Sequence, residues 1–200
     1  MALDILNSID GRQVGEDVFG RLVARDLADV ANDAKVVAKK LYAQTAASSA
    51  VTNTTTETLF DANYTLPANI LQVGSLLRIR YQGIATATNS TDTLTAKLYI
   101  GGLAGTALQA SAATDVANNN IFGGEFFLAV RTIGATGTFI GWGDYIKTLA
   151  ASGTATSVIA NVASTTIDTT AAQVIGVSAT WSVASASDSC RLDYLTVEML

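Results

Sequence analysis

The sequence predicts a mainly β protein: an N-terminal α-helix followed by an antiparallel β-sandwich, with a jelly roll as the arrangement that best fits the strand spacing. Three observations predict it. Near Thr45 the chain changes from charged, helix-favouring residues to Thr, Ser, Ala, Asn and Gly. After Glu57 the apolar residues recur with a period of two. Turn-forming clusters then interrupt that alternation at regular intervals. The expected organisation is a helical oligomerisation or anchoring segment over 1–44, a Ser/Thr-rich linker over 45–56 and a sandwich domain over 57–200.

The helical expectation rests on Asp17–Gln44, which contains no Pro and no Gly after Gly20. Asp17 is placed to cap the first turn, and Lys39 and Lys40 suit the negative pole of the helix dipole. Val23, Leu27, Val30, Ala34, Val37 and Leu41 are spaced alternately by four and three residues. This is the seam of helices that pack around a common axis. At 1.5 Å per residue such a helix would be about 40 Å long. Two arrangements satisfy the seam: association with sister copies, or one amphipathic helix lying on its own sandwich. A flexible linker favours the first.

The strands follow. Leu77, Ile79 and Tyr81 alternate with Arg78, Arg80 and Gln82. Leu94, Ala96, Leu98 and Ile100 alternate with Thr95, Lys97 and Tyr99. Phe126, Leu128 and Val130 alternate with Phe127, Ala129 and Arg131. Further strands are expected over Thr136–Trp142, Tyr145–Leu149, Thr156–Val162, Gln173–Trp181 and Cys190–Met199, with an edge strand near Thr58–Phe60. Breakers separate them, including Gly101-Gly102, Asn118-Asn119-Asn120, Gly123-Gly124 and Ser152-Gly153. A long connection over 102–120 fits a jelly roll.

Several strands are apolar on both faces, whereas antiparallel sheets usually leave one face polar. Phe127, Ile175, Val177 and Trp181 are the expected contact residues if a second subunit or a capsid surface covers the extra face. A bulge or a covering loop would account for the same pattern.

Composition excludes several functions. With no His, neither a Ser-His-Asp nor a Cys-His arrangement exists within the chain, and a Cys/His zinc site cannot form. No phosphate-binding Gly-Lys loop is present. Carboxylate pairs such as Asp188 and Asp193 remain, but nothing singles one out for glycoside cleavage. The sequence therefore predicts no enzyme, no catalytic residue, no cofactor and no metal. Asn and Asp around Asn89–Asp92 could ligate calcium, but ordinary turn chemistry explains them.

The net charge of −5 argues against nucleic-acid binding. No apolar stretch approaches the roughly 20 residues that span a bilayer. The acidic start, Met1-Ala2-Leu3-Asp4, is unlike a secretory signal, so synthesis in a cytoplasm is expected. Cys190 reads as a small buried group rather than a reactive thiol. Trp142, Tyr145, Tyr99 and Trp181 could stack on sugar rings beside Asn118, Asn119 and Asn120. Aromatics in a sandwich also serve as core or interface.

Three stretches carry a resemblance. Asn53–Phe60 followed by Tyr64–Arg80, and Gly83–Gly102 with its Asn89-Ser90-Thr91-Asp92 turn, resemble β-sandwich domains of tailed-bacteriophage structural proteins, as does the closing Cys190–Glu198. The likeness runs from about Asn53 to Leu200 and brings no active-site residues. It implies a virion component, often trimeric with a jelly-roll head. The expectation is a capsid decoration (cement) protein: a homotrimer on the outer shell, partnered by the major capsid protein or another virion protein. The alternative is a short tail or head fibre that recognises a host glycan.

Overall fold

A computed structural model describes residues 38–89, 91–148 and 155–200, and the sheets lie in the compact unit Lys40–Met199. In chain order the strands are β1 (Lys39–Ala43), β2 (Val51–Thr52), β3 (Thr58–Leu59), β4 (Tyr64–Leu66), β5 (Leu76–Thr86), β6 (Thr93–Ile100), β7 (Thr106–Ala110), β8 (Thr114–Asp115), β9 (Asn120–Thr132), β10 (Gly137–Thr148), β11 (Ala155–Ile167), β12 (Gln173–Trp181) and β13 (Ser189–Met199). One sheet is seven-stranded, in the order β1-β13-β5-β9-β10-β11, with β2 also on β13. The other is six-stranded, in the order β3-β12-β6-β7, with β4 also on β12 and β8 on β6. The registered pairs of long strands are antiparallel. Consecutive strands repeatedly cross from one sheet to the other, as β5 to β6 and β12 to β13 do, while β9, β10 and β11 form a meander within the larger sheet.

The alternation in the sequence maps directly onto this sandwich. Leu77, Ile79, Phe126, Leu128 and Phe139 line the inner face of the larger sheet, all fully buried. Leu94, Ala96, Leu98, Ile175, Val177 and Ala179 face them from the smaller sheet. Large rings fit because glycines lie beneath them. A Cβ on Gly83 would fall 2.4 Å from the Phe122 ring, and one on Gly141 would fall 2.5 Å from the Phe126 ring. A side chain at either place would displace a close-packed aromatic.

Three expectations change. Leu41 and its neighbours do not end a helix: Lys39–Ala43 is the strand β1. Backbone groups along β13 need partners, and an added strand supplies them where a helix, which satisfies its own backbone, cannot. Leu41 and Tyr42 pack against the core, and the Tyr42 ring stacks on Tyr64 at 5.4 Å. The seam residues Val23, Leu27, Val30, Ala34 and Val37 lie outside the described residues.

The segment expected as a linker is fastened along the sheet. Ser48 N donates to Leu192 O at 2.8 Å, and Leu192 N donates to Ser48 Oγ at 2.9 Å. Val51 is buried and pairs with Cys190.

The strands expected over Thr136–Trp142 and Tyr145–Leu149 are one, β10, because Gly143 sits within the ladder opposite Phe126. The long connection over 102–120 contains β7 and β8.

Candidate functional site

The outer face of the larger sheet exposes aromatic, charged and polar side chains together. Its composition follows from pairing. The register aligns Glu198, Arg78, Phe127 and Trp142 in one row across β13, β5, β9 and β10. The next row is Thr196, Arg80, Glu125 and Asp144, and the one after it begins Tyr194, Gln82 and Gly123. Period two puts all of these on the side opposite the core.

In the first row Trp142 is 55% exposed, and its ring stacks on Phe127 at 4.6 Å. Arg78 Nε donates to Glu198 Oε2 at 2.7 Å, neutralising one end of the row. In the second row Arg80 Nε lies 3.4 Å from Glu125 Oε1, with both side chains well exposed, so the pair contributes little stability and is available to a ligand. Gly123 has no side chain, and the surface dips there into a groove of about 380 Å³. Arg80, Gln82, Ile121, Glu125, Asp144 and Tyr194 surround it. The Thr196 hydroxyl donates to the Tyr194 hydroxyl at 3.2 Å and steadies that ring. Guanidinium, carboxylates, carboxamide and phenol thus converge beside an aromatic stack. Such a surface can bind by stacking and hydrogen bonding.

A second polar cluster, on the outer side of the smaller sheet, is already saturated. Glu57 Oε1 accepts from Ser178 Oγ at 2.7 Å and from Tyr99 OH at 3.0 Å, while Oε2 accepts from Lys97 Nζ at 3.0 Å. Burial works to raise the Glu57 carboxyl, but the bonds from Ser178, Lys97 and Tyr99 and the Lys97 charge outweigh it and hold the group below its ordinary value. A carboxylate so fully bonded ties the chain before β3 to β12 and β6.

The contact residues expected from sequence separate on this geometry. Phe127 lies on the outer face beneath Trp142. Ile175, Val177 and Trp181 do not: each is at most 1% exposed, inside the sandwich. The reason is parity. In β12 the apolar-rich face is the core face, and the outer face carries Val174, Gly176 and Ser178. The indole Nε1 of Trp181 donates to Val51 O at 3.2 Å.

Of the four aromatics considered for stacking on sugars, Tyr145, Tyr99 and Trp181 are buried and only Trp142 is exposed. Asn118–Asn120 is turn chemistry. Asn119 has a φ of 57°, and Asn120 Oδ1 accepts from Ala117 N at 2.5 Å. Arg80, Glu125 and Tyr194 are not singled out by the sequence. Their outward parity was readable strand by strand, but their meeting depends on register between distant strands.

The fold and this surface define a class: an antiparallel two-sheet β-sandwich with a mixed aromatic and charged outer face. No family model matches the chain, and no curated protein does. Among solved structures, the chain is similar to one from the Gx strain of infectious bursal disease virus, at 15% identity and a TM-score of 0.38 over 80% of this chain. This chain spans 31% of that one's length. It is also similar to a Lotus tetragonolobus seed lectin, at 9% identity and a TM-score of 0.35, covering 72% of this chain and 80% of that one. Lectin UEA-II, solved in complex with galactose, gives 8% identity and a TM-score of 0.35, with 81% of this chain and 86% of that chain covered.

Proposed function

We propose that this chain is a non-enzymatic structural protein of a virion, a capsid decoration subunit of the tailed-bacteriophage kind. It would sit on the outer shell as a trimer and contact a neighbouring subunit through the outer face of its larger sheet. The observation that carries this is Trp142, more than half exposed and stacked on Phe127 on a sheet whose other face already forms the core. Covering apolar surface of this kind contributes about 25 cal/mol per Å². An aromatic pair ringed by charged side chains has the composition of an interface centre and rim.

The strand order supports the same reading. Setting aside the β10–β11 hairpin, the two sheets read first/eighth/third/sixth and second/seventh/fourth/fifth, where β1 with β2, β3 with β4 and β7 with β8 each count as one strand. That is the order of a jelly roll, an architecture used by viral capsid and lectin domains. The hairpin between the sixth and seventh of these strands broadens the sheet that carries Trp142.

Light scattering on the purified full chain, with co-sedimentation on undecorated capsids, tests the proposal. An oligomer that binds shells, weakened in Trp142→Ala, is the expected result. A monomer with no affinity for shells overturns it.

A second reading, a fibre module that binds a host glycan, is favoured by the groove beside Tyr194, Arg80 and Asp144. A glycan array would show a hit that Tyr194→Ala and Asp144→Ala abolish, with shell binding absent.

A further inference from the structure

At one end of the sandwich two turns meet. One joins β5 to β6 and carries Asp92; the other joins β12 to β13 and carries Asp188. Their backbones are pinned in place. Asp92 N donates to Asn89 O at 3.2 Å, Asp188 N to Ser185 O at 3.1 Å, and Val116 N to Asp92 O at 3.1 Å. Ser182 Oγ accepts from Thr93 N at 2.8 Å and links the two turns.

Both carboxylates are buried: Asp92 is 2% exposed and Asp188 0%. Neither oxygen of Asp188 has a hydrogen-bond partner. Asp92 Oδ1 has only the Asn89 side-chain amide, at 3.4 Å. None of the ion pairs among the described residues involves either residue, and Arg191, close by in sequence, is committed to Asp193.

Burial first, and then the charge and side chain of Asp92, raise the Asp188 carboxyl above its ordinary value. The buried Cys190 thiol feels the Asp188 charge as well. Two buried like charges without a counter-ion are costly, and a bound cation removes both the repulsion and the lost hydration.

We propose that Asp92 and Asp188 form a binding site for a hard divalent cation, Ca²⁺ or Mg²⁺, that staples the β5–β6 turn to the β12–β13 turn. Carboxylate oxygens, turn carbonyls and water are the ligands such ions take. Turning the Asn89 carboxamide over presents its oxygen where its nitrogen now lies, which adds a third side-chain ligand. No group of three or more Asp, Glu, Cys or His side chains arranged for a metal occurs among the described residues, so the site depends on this pair. It is independent of what the outer face of the larger sheet binds.

Thermal unfolding of the full chain in EDTA, in CaCl₂ and in MgCl₂ tests the site, with elemental analysis for one ion per chain. The wild type should gain about 5 °C or more in one of the two salts over EDTA. Asp188→Asn and Asp92→Asn should lose that gain. In EDTA each should melt at or above the wild type, because one of two opposed charges is gone. Either variant alone suffices if the other does not fold. Identical melting of the wild type in all three solutions overturns the proposal, with the pair then sharing a proton instead. A gain that survives in a folded variant overturns it too, by placing the ion elsewhere.

Discussion

The Tyr81 hydroxyl donates to Gln109 Oε1 at 2.7 Å through the interior, joining β5 of the larger sheet to β7 of the smaller. Both residues are buried, and the amide nitrogen of Gln109 has no other partner. Tyr81→Phe leaves the whole carboxamide unpaired and should cost about 1–3 kcal/mol. Pairing it with Gln109→Leu removes both polar ends, so most of the loss should return. Urea denaturation of the two single variants and the double variant reads this directly. A neutral Tyr81→Phe would mean the bond across the core is not formed.

Trp142 and Trp181 should behave oppositely. Trp181 fills the core and is bonded to Val51, so Trp181→Ala should destabilise by about 3–5 kcal/mol. Trp142→Ala removes an exposed ring and should change the stability of an isolated chain by no more than about 0.5 kcal/mol. Equal losses at the two positions in chemical denaturation would contradict the faces assigned to β10 and β12.

Glu57 sets an acid limit. Its folded-state pKa lies below the ordinary 4.5, so its stabilisation is complete above that value and disappears as pH falls through the lower, folded one. Asp188 has the opposite sign: its raised carboxyl favours the protonated, folded form, and repulsion from Asp92 is relieved on acidification. Comparing melting temperatures of the wild type and Glu57→Gln from pH 7 downward isolates the Glu57 contribution. The two curves should converge below the ordinary carboxylate range and separate above it, with the wild type higher.

Cys190 should be inert. Burial pushes its thiol up to about 12; Trp181 opposes this, and the Asp188 charge adds a smaller upward push. The native protein should not react with a thiol-specific disulfide reagent at pH 8, and the same protein in guanidinium should react once per chain. Rapid labelling of the folded form would show that the end of β13 next to β2 opens.

Much of the sandwich was legible because period two is a local property. Leu77, Ile79, Leu94, Leu98, Phe126 and Leu128 were assigned to one side of their strands from alternation alone, and all lie in the core. The breakers at Gly101-Gly102 and Asn118–Asn120 fell at real turns for a similar reason, since left-handed backbone at Gly101, Gly102 and Asn119 favours those residue types. Composition likewise removed every chemistry that needs imidazole.

What alternation could not supply was what covers an apolar face. In β12 it sets Ile175, Val177, Ala179 and Trp181 opposite Val174, Gly176 and Ser178, but only the packing of the larger sheet shows that the first face is core rather than contact surface. Nor could it show that Lys39–Ala43 completes a sheet edge: the unpaired backbone of β13 that recruits it lies some 150 residues away in sequence. The groove on the larger sheet and the meeting of Asp92 with Asp188 arise in the same way. Each joins residues whose only connection is the register and packing of strands far apart along the chain, and those are set by burial over the whole domain rather than by any local run of residues.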